Sequence, residues 1–273
     1  MANPKTLKIA TWNIGGGILG ESHQRDGTPM LDHHVSVLEE HGPDVVFLQE
    51  AHERPAPREG QVEHLARNAG YPHFASFPVS ESHLEKNSSL ALGVLSRFPI
   101  STAAYRRFPS FRLEAAGPHG TPWKLHDKGY VAGTIDLGSH PLGFLNAHCF
   151  PLHRFGHSPT EPRFAAMWEM LSAELLALCD AGPAVAAFDL NHEPVEEVLG
   201  EVLGPGRYTN SFTGTTTPGG AQRDYILHSP GVTTRAATVL DTGSDHSYCH
   251  VLADIRTATR AAGRFTLPAA PRP

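Results

Sequence analysis

DVVFLQE, residues Asp44 to Glu50, is a continuous apolar run opened by one acid and closed by a polar pair. It is too short for a helix and does not alternate. Its valines and phenylalanine favour extended backbone, so it reads as a strand covered on both faces. AVAAFDL (Ala184–Leu190) has the same character. Around these two, LKIATWN (Leu7–Asn13), SLALGVLS (Ser89–Ser96), YVAGTIDL (Tyr130–Leu137), LGFLNAHCF (Leu142–Phe150), RDYILHS (Arg223–Ser229) and YCHVLADI (Tyr248–Ile255) read as further strands.

The layers that cover these strands are expected to be helical. Thr28–His41 sets Leu31, Val35 and Leu38 on one face and stops at Gly42-Pro43. Gln61–Ala69 and Val195–Leu203 are shorter helices. In Glu161–Cys179, Phe164, Met167, Leu171, Leu175 and Leu178 recur at helical spacing, with Thr160 as N-cap and Gly182-Pro183 as terminator. Ser211–Ala221, rich in threonine and glycine, is a loop. With no linker-like break and no internal repeat, residues 1–256 are expected to form one α/β domain, and residues 257–273 an Ala/Pro-rich C-terminal tail.

The 273 residues are 40% hydrophobic, enough for a sizeable core, and no apolar run approaches the length of a membrane span. The chain enters its first strand almost at once, without the apolar core of a signal peptide, so a cytoplasmic location and no membrane partner are the expectation. Cys149, Cys179 and Cys249 are too few and too scattered for a disulfide framework or a CxxC metal site, and are expected to be reduced. The net charge of −6 argues against coating nucleic acid by bulk electrostatics, while allowing a local grip on one or two phosphates.

Residues with chemical potential cluster where apolar strands meet loops. Asn13 ends the first strand before Gly15-Gly16-Gly17, Glu50 ends DVVFLQE, and His148 lies near the end of LGFLNAHCF. Asp189 and Asn191 close AVAAFDLN, Asp224 opens DYIL, and Asp245-His246 precede the last strand. Singly each has an ordinary reading: a turn former, a strand-end charge, a core histidine, Asx turns before the next helix, an ion pair with an arginine. Together they occupy the places where strands fix a position and loops give access.

On those residues the sequence resembles the endonuclease/exonuclease/phosphatase superfamily, whose members include deoxyribonuclease I-like nucleases. The resemblance runs in order through TWN (Asn13), FLQE (Glu50), GVLSRFPI (Gly93–Ile100), NAHC (His148), FDLN (Asp189, Asn191), RDYIL (Asp224) and SDH (Asp245, His246). It implies a four-layer sandwich: two mostly antiparallel sheets packed face to face, with helices on both outer sides. It further implies that Glu50, helped by Asn13 and Asp245, holds magnesium, with manganese as the alternative, since a hard cation takes oxygen ligands. His246 becomes the general base, oriented by Asp224. Asp189 aligns the attacking water, and His148 and Asn191 hold the phosphoryl oxygens.

The chain departs from the family pattern at instructive places. Phe188 stands where the family usually writes glycine, so packing there must differ. Gly15 replaces the acid of the abasic-endonuclease branch, and His148 replaces that branch's tyrosine, which points to the deoxyribonuclease and phosphatase branches. Lys128-Gly129 replaces Arg-Gly, and Lys128 is either a substrate-phosphate contact or a solvated strand-start lysine. His153, Arg154, His157 and Arg163, after His148, either cap the site and read substrate or line a surface loop. Trp123 and Phe111 either stack on a substrate ring or pack in the core. Arg97, Arg106, Arg107, Arg112, Lys124 and Lys128 against Glu114 and Asp127 suggest a local phosphate-attracting surface. A zinc site at His148, His153 and His157 is disfavoured, because the spacing is not HExxH and Pro151 interrupts a helical face.

The expected function is a magnesium-dependent phosphoesterase that hydrolyses a phosphodiester, in nucleic acid or a small molecule, with no obligate protein partner implied. The alternatives are a phosphomonoesterase acting on a small phosphorylated metabolite and a catalytically inactive binding module of the same fold.

Overall fold

The double covering of DVVFLQE is visible in the computed structural model, which describes residues 4–20, 28–55, 58–117, 122–138 and 141–256. Along strand β2 (Val45–Glu53), Val45 and Phe47 enter one apolar cluster while Val46 and Leu48 enter another. Successive strand side chains point to opposite faces, so a strand with no polar face must be central. β1 (Lys5–Asn13) and β10 (Ala184–Asp189) behave alike: Ile9 and Val185 face the central cluster, Trp12 and Phe188 the outer ones.

The remaining elements in chain order are α1 (Leu31–His41), α2 (Gln61–Asn68), β3 (His73–Glu81), β4 (Ser89–Ser96), β5 (Ile100–Arg107), β6 (Glu114–Ala116), β7 (Pro122–Lys124), β8 (Gly129–Asp136), β9 (Pro141–His148), α3 (Ala165–Ala181), α4 (Glu196–Leu199), β11 (Thr209–Asn210), β12 (Asp224–His228), β13 (Val232–Leu240) and β14 (Tyr248–Ile255). Two six-stranded sheets form, ordered β13-β14-β1-β2-β4-β3 and β11-β12-β10-β9-β8-β5. Each holds one parallel pair, β1/β2 and β9/β10, among antiparallel neighbours. Val45, Phe47 and Val94 meet Val131, Phe144 and Ile226 between the sheets, with the rings of Phe47 and Phe144 5.6 Å apart. α1 and α2 cover the first sheet through Val35, Leu38, Val62 and Leu65; α3 covers the second through Met167, Leu171, Leu175 and Leu178. The result is the expected four-layer sandwich.

Several local expectations need correction. The first helix begins at Leu31, and the long one at Ala165 after a 3-10 turn over Pro162–Phe164. Thr160 does not cap it; its hydroxyl pairs with Ser158 Oγ at 2.8 Å. Val195–Leu203 is the single turn α4 followed by a 3-10 turn over Gly200–Val202. Residues 257–273, expected to form the tail, lie outside the described residues. Among the described residues no helix is long and apolar enough to cross a membrane, and the three cysteines are free thiols.

Because the sheets are mostly antiparallel, strand ends and strand starts meet at one end of the sandwich. The C-termini of β1, β9 and β10 lie beside the N-termini of β8, β12 and β14, with Asp189 in register with both His148 and Asp224. A buried amide network ties the sheets together nearby. Gln49 Nε2 donates to Thr11 Oγ1 and Asn146 Oδ1 (3.1 and 2.8 Å), and Asn146 Nδ2 donates to the carbonyls of Leu48 and Gly93. Paired polar groups in a dry interface fix the relative position of two layers that apolar contact alone would let slide, although the buried Gln49 Oε1 has no partner among the described residues.

Candidate active site

Glu50 is placed by an irregularity. Between Leu48 and Ala51 the β2/β4 register shifts, and Glu50 adopts φ 54°, a conformation that L residues other than glycine rarely take. Strain of this kind persists only where the surroundings impose it, and it commonly marks a site. The bulge turns the carboxylate into a cavity of about 300 Å³ that Asn13, His148, Asp189, Asn191, Asp245 and His246 also line. Asn191 has φ 56°, which asparagine tolerates through its local hydrogen bonds. Its N–H donates to Asp189 Oδ1 (2.9 Å) and its Nδ2 to the Cys149 carbonyl (3.1 Å). The Asx-turn reading and the site reading of Asn191 are therefore compatible.

Asp189 is the hub. Its Oδ2 accepts from Asn13 Nδ2 at 2.9 Å and lies 3.3 Å from His148 Nε2 and 3.6 Å from His246 Nε2. Asn13 in turn accepts the Gly15 N–H on Oδ1 at 3.0 Å. Asp224 sits beneath, fully buried, and accepts from His246 Nδ1 at 2.8 Å. Its own position is fixed by Thr216, whose Oγ1 accepts the N–H groups of Arg223 and Asp224. Among the described residues Asp189, Asp224 and His246 are the acid and imidazole groups whose ligating atoms all lie within 4.8 Å of one another. Within this trio His246 Nδ1 is already committed to Asp224, and Nε2 lies 3.6 Å from Asp189 Oδ2.

Lys128 is not a solvated strand-start lysine. It is 6% exposed, and its Nζ lies 3.3 Å from Glu50 Oε1 and 3.0 Å from each ring nitrogen of His148. An ammonium can only donate, so the His148 nitrogen it addresses must accept. Nε2, which faces Asp189 and, at 3.7 Å, Glu50, then carries the proton, leaving Nδ1 as the acceptor. Burial and the neighbouring Lys128 charge hold His148 well below its ordinary pKa, consistent with a neutral ring. Burial works against the Glu50 carboxylate, but the Lys128 charge beside it outweighs burial and holds the carboxyl far below the usual range. Burial also raises the Asp189 carboxyl, against the opposing pull of His246. For His246, burial favours the neutral ring; Asp224 and Asp189 more than offset this and push the imidazole up to about 10.

Arg154 lines the cavity, whereas His153 is exposed and is not among its lining residues. His157 pairs with Glu161 at 3.1 Å, away from the cavity lining. The basic stretch disperses: Arg107 pairs with Asp127, Lys124 faces Glu114, Arg97 lies over the Tyr71 ring, and only Lys124 and Lys128 of the six line the cavity. Phe188 packs fully buried beneath α3 instead of leaving the space of a glycine. His83 and His126, which are not among the sequence candidates, stack at 5.1 Å on the cavity wall. They lie in loops without a strand signature, so no local pattern marks them.

The residues present suit a hard cation. Glu50, Asp245 and Asn13 line one cavity, and their side chains carry oxygen donors, although Asn13 Oδ1 also accepts the Gly15 N–H. A sequence profile described as the Endonuclease/Exonuclease/phosphatase family matches residues 10–246. No curated relative matches the chain by sequence. Among solved structures, an endonuclease/exonuclease/phosphatase from Beutenbergia cavernae superposes with a TM-score of 0.65 at 18% identity, covering 92% of this chain and 72% of that one. The human Nocturnin catalytic domain with bound sulfate gives 0.62 at 18% identity, over 92% and 97% of the two chains. A Bacteroides thetaiotaomicron mannosyl-6-phosphatase gives 0.57 at 15% identity, over 90% and 99%. At these identities the likeness is one of fold.

Proposed function

The chain belongs to the endonuclease/exonuclease/phosphatase family, and from that premise we propose that it is a divalent-metal-dependent hydrolase of phosphodiesters acting in the cytoplasm. The observation that carries this reading is the convergence of Asn13, Glu50, His148, Asp189, Asn191, Asp245 and His246 on one cavity, with Asp224 hydrogen-bonded behind His246.

A phosphodiester is already anionic, so hydrolysis requires neutralised charge, a water placed in line and a stabilised leaving oxygen. Magnesium or manganese on Glu50, Asn13 and Asp245 would supply positive charge to the phosphoryl and leaving oxygens. Lys128 and the Nδ2 of Asn191 donate to phosphoryl oxygens. His148 holds Lys128 in place through its accepting nitrogen. Asp189 accepts a hydrogen bond from the attacking water and orients it. His246 Nε2, facing the cavity, takes the water's proton, and Asp224 stabilises the imidazolium formed.

The electrostatics of the chain itself argue for the cation. Asp224 and Asp189 favour the charged form of His246 in the metal-free chain, and a cation beside Asp245 and Glu50 would oppose them and favour the neutral base. Oxygen donors from Glu50 and Asp245 gather on that side of the cavity.

The test is hydrolysis of bis(p-nitrophenyl) phosphate and p-nitrophenyl phosphate with magnesium, manganese or chelator, comparing wild type with His246→Ala. Metal-dependent turnover, greater on the diester and lost in the variant, is expected. Preference for the monoester would transfer the proposal to a phosphomonoesterase. Metal-independent turnover, or full activity in His246→Ala, would sink the mechanism. Specific binding of a phosphate ester without turnover of any ester under any metal would favour the inactive binding module.

A further inference from the structure

Part of the cavity wall comes from outside both large sheets. β6 and β7 form a separate two-stranded hairpin, and Pro122, Trp123 and Lys124 of β7 line the cavity together with Leu125. The hairpin meets the 3-10 turn Leu152–Phe155, which adds Arg154 and Phe155 to the same wall. The Arg154 guanidinium lies 5.6 Å from the centre of the Trp123 ring.

Two features of this wall are not needed to hold a phosphoryl group at the carboxylate end. The first is Arg154. Lys124 faces Glu114 at 3.9 Å, whereas among the described residues no carboxylate pairs with Arg154. A cation–π contact restrains the guanidinium plane against the indole and leaves N–H edges able to address an anion. The second is the apolar surface of Trp123, Leu125 and Phe155, suited to a flat ring. The cavity, about 300 Å³, lies at the small end of small-molecule sites. A duplex binder needs a row of cations following a backbone, and this acidic chain offers three lysines and arginines in the cavity lining, Lys124, Lys128 and Arg154.

We propose that Trp123, Leu125, Phe155 and Arg154 form a leaving-group subsite that selects compact phosphate esters carrying a flat ring and a second anionic group, the chemistry of a nucleotide. The assignment rests on the hydrolase reading for its orientation: the scissile phosphoryl group lies at the Glu50 and His246 end, the ring on the hairpin wall, and the second anion at Arg154. Phosphate esters lacking the ring or the second anion bind more weakly.

The test is equilibrium titration of adenosine 3′,5′-bisphosphate, adenosine 5′-monophosphate and ribose 5-phosphate with magnesium present, in the His246→Ala background so that no probe is consumed. The bisphosphate is expected to bind about 10- to 100-fold more tightly than the monophosphate, the range for a charge-assisted hydrogen bond. Arg154→Gln, at an exposed position that does not threaten folding, brings that ratio near one, and Arg154→Lys restores part of it. Trp123→Leu narrows the difference between the monophosphate and ribose 5-phosphate. An unchanged bisphosphate preference in Arg154→Gln overturns the subsite. So does tighter binding of duplex DNA with a steep dependence on salt. The titrations do not depend on turnover, so an inert wild type would count against the hydrolase reading while the subsite is still decided.

Discussion

Asp224→Asn tests the Asp224–His246 dyad most directly, because it keeps the shape of the side chain and removes its charge. The Asn oxygen can still accept from His246 Nδ1, the 2.8 Å contact of the native pair. What disappears is the Coulombic attraction that, with Asp189, raises the imidazole to about 10 against its burial. A rise from the ordinary 6.5 corresponds to about 5 kcal/mol of differential stabilisation of the charged ring. The folded pKa is raised, so that contribution is fully present below pH 6.5 and is lost as pH climbs towards 10. Asp189 and Asp245 remain in the variant, so about half the effect, roughly 2–3 kcal/mol, is expected to vanish at pH 6. The assay is urea unfolding in chelator at pH 6, 8 and 9.5. Wild type should lose stability across that range more steeply than Asp224→Asn. Loss of orientation and of imidazolium stabilisation should also lower kcat about 10²- to 10⁴-fold. Equal pH slopes in the two proteins would refute the electrostatic account of the dyad, whatever happened to activity.

Magnesium or manganese is expected to raise the unfolding temperature of the wild type, and Glu50→Gln should abolish that rise. A saturating cation at 100 times its Kd is worth about 2.7 kcal/mol, so retention of the full shift would remove Glu50 from the ligand set. His34 is fully buried against the Trp12 ring, and burial lowers its pKa to about 4. With the folded value depressed below 6.5, stability present above pH 6.5 is lost as pH falls to 4, about 3 kcal/mol in all. His34→Phe should flatten that acid limb in urea unfolding, and a limb as steep as wild type would exclude His34 as its source. Gly129→Ala would drive a Cβ into the Arg106 carbonyl oxygen, well inside van der Waals contact, forcing β8 away from β5. We expect a stability loss of about 1–3 kcal/mol and a fall in kcat because Lys128 moves with the strand; unchanged values of both would show the contact is easily relieved.

The central strands were legible because they are buried on both faces, and unbroken apolar runs such as DVVFLQE and AVAAFDL fit few places in a fold except the middle of a covered sheet. β3, β5 and β13 were not. They are edge strands with mixed exposure, and ISTAAYRR or VTTRAATVL satisfies a half-covered edge without any distinctive period. At the site, the strand-end polar residues were legible as a set, and all but Asp224, which lies behind His246, line one cavity. Two things were hidden because they depend on contacts far apart in sequence. One is the bond from Asn13 to Asp189, which makes a candidate ligand also an orienting group. The other is the burial of Lys128 between Glu50 and His148.

Lys128 explains how so many acids can share one end of a folded sandwich. Glu50, Asp189 and Asp224 are buried or nearly so, and uncompensated carboxylates there would neutralise themselves or unfold the site. The ammonium of Lys128 keeps Glu50 charged from one side, and the imidazolium of His246 serves Asp224 and Asp189 from the other. Each carboxylate therefore has a resident partner while no cation is bound. A lysine fits this task better than an arginine would, because a compact ammonium on a flexible stem can sit 3.0–3.3 Å from both His148 and Glu50. The chain thus folds with its acids paired, and under the proposed function part of that pairing would be exchanged for a divalent cation and a phosphate ester.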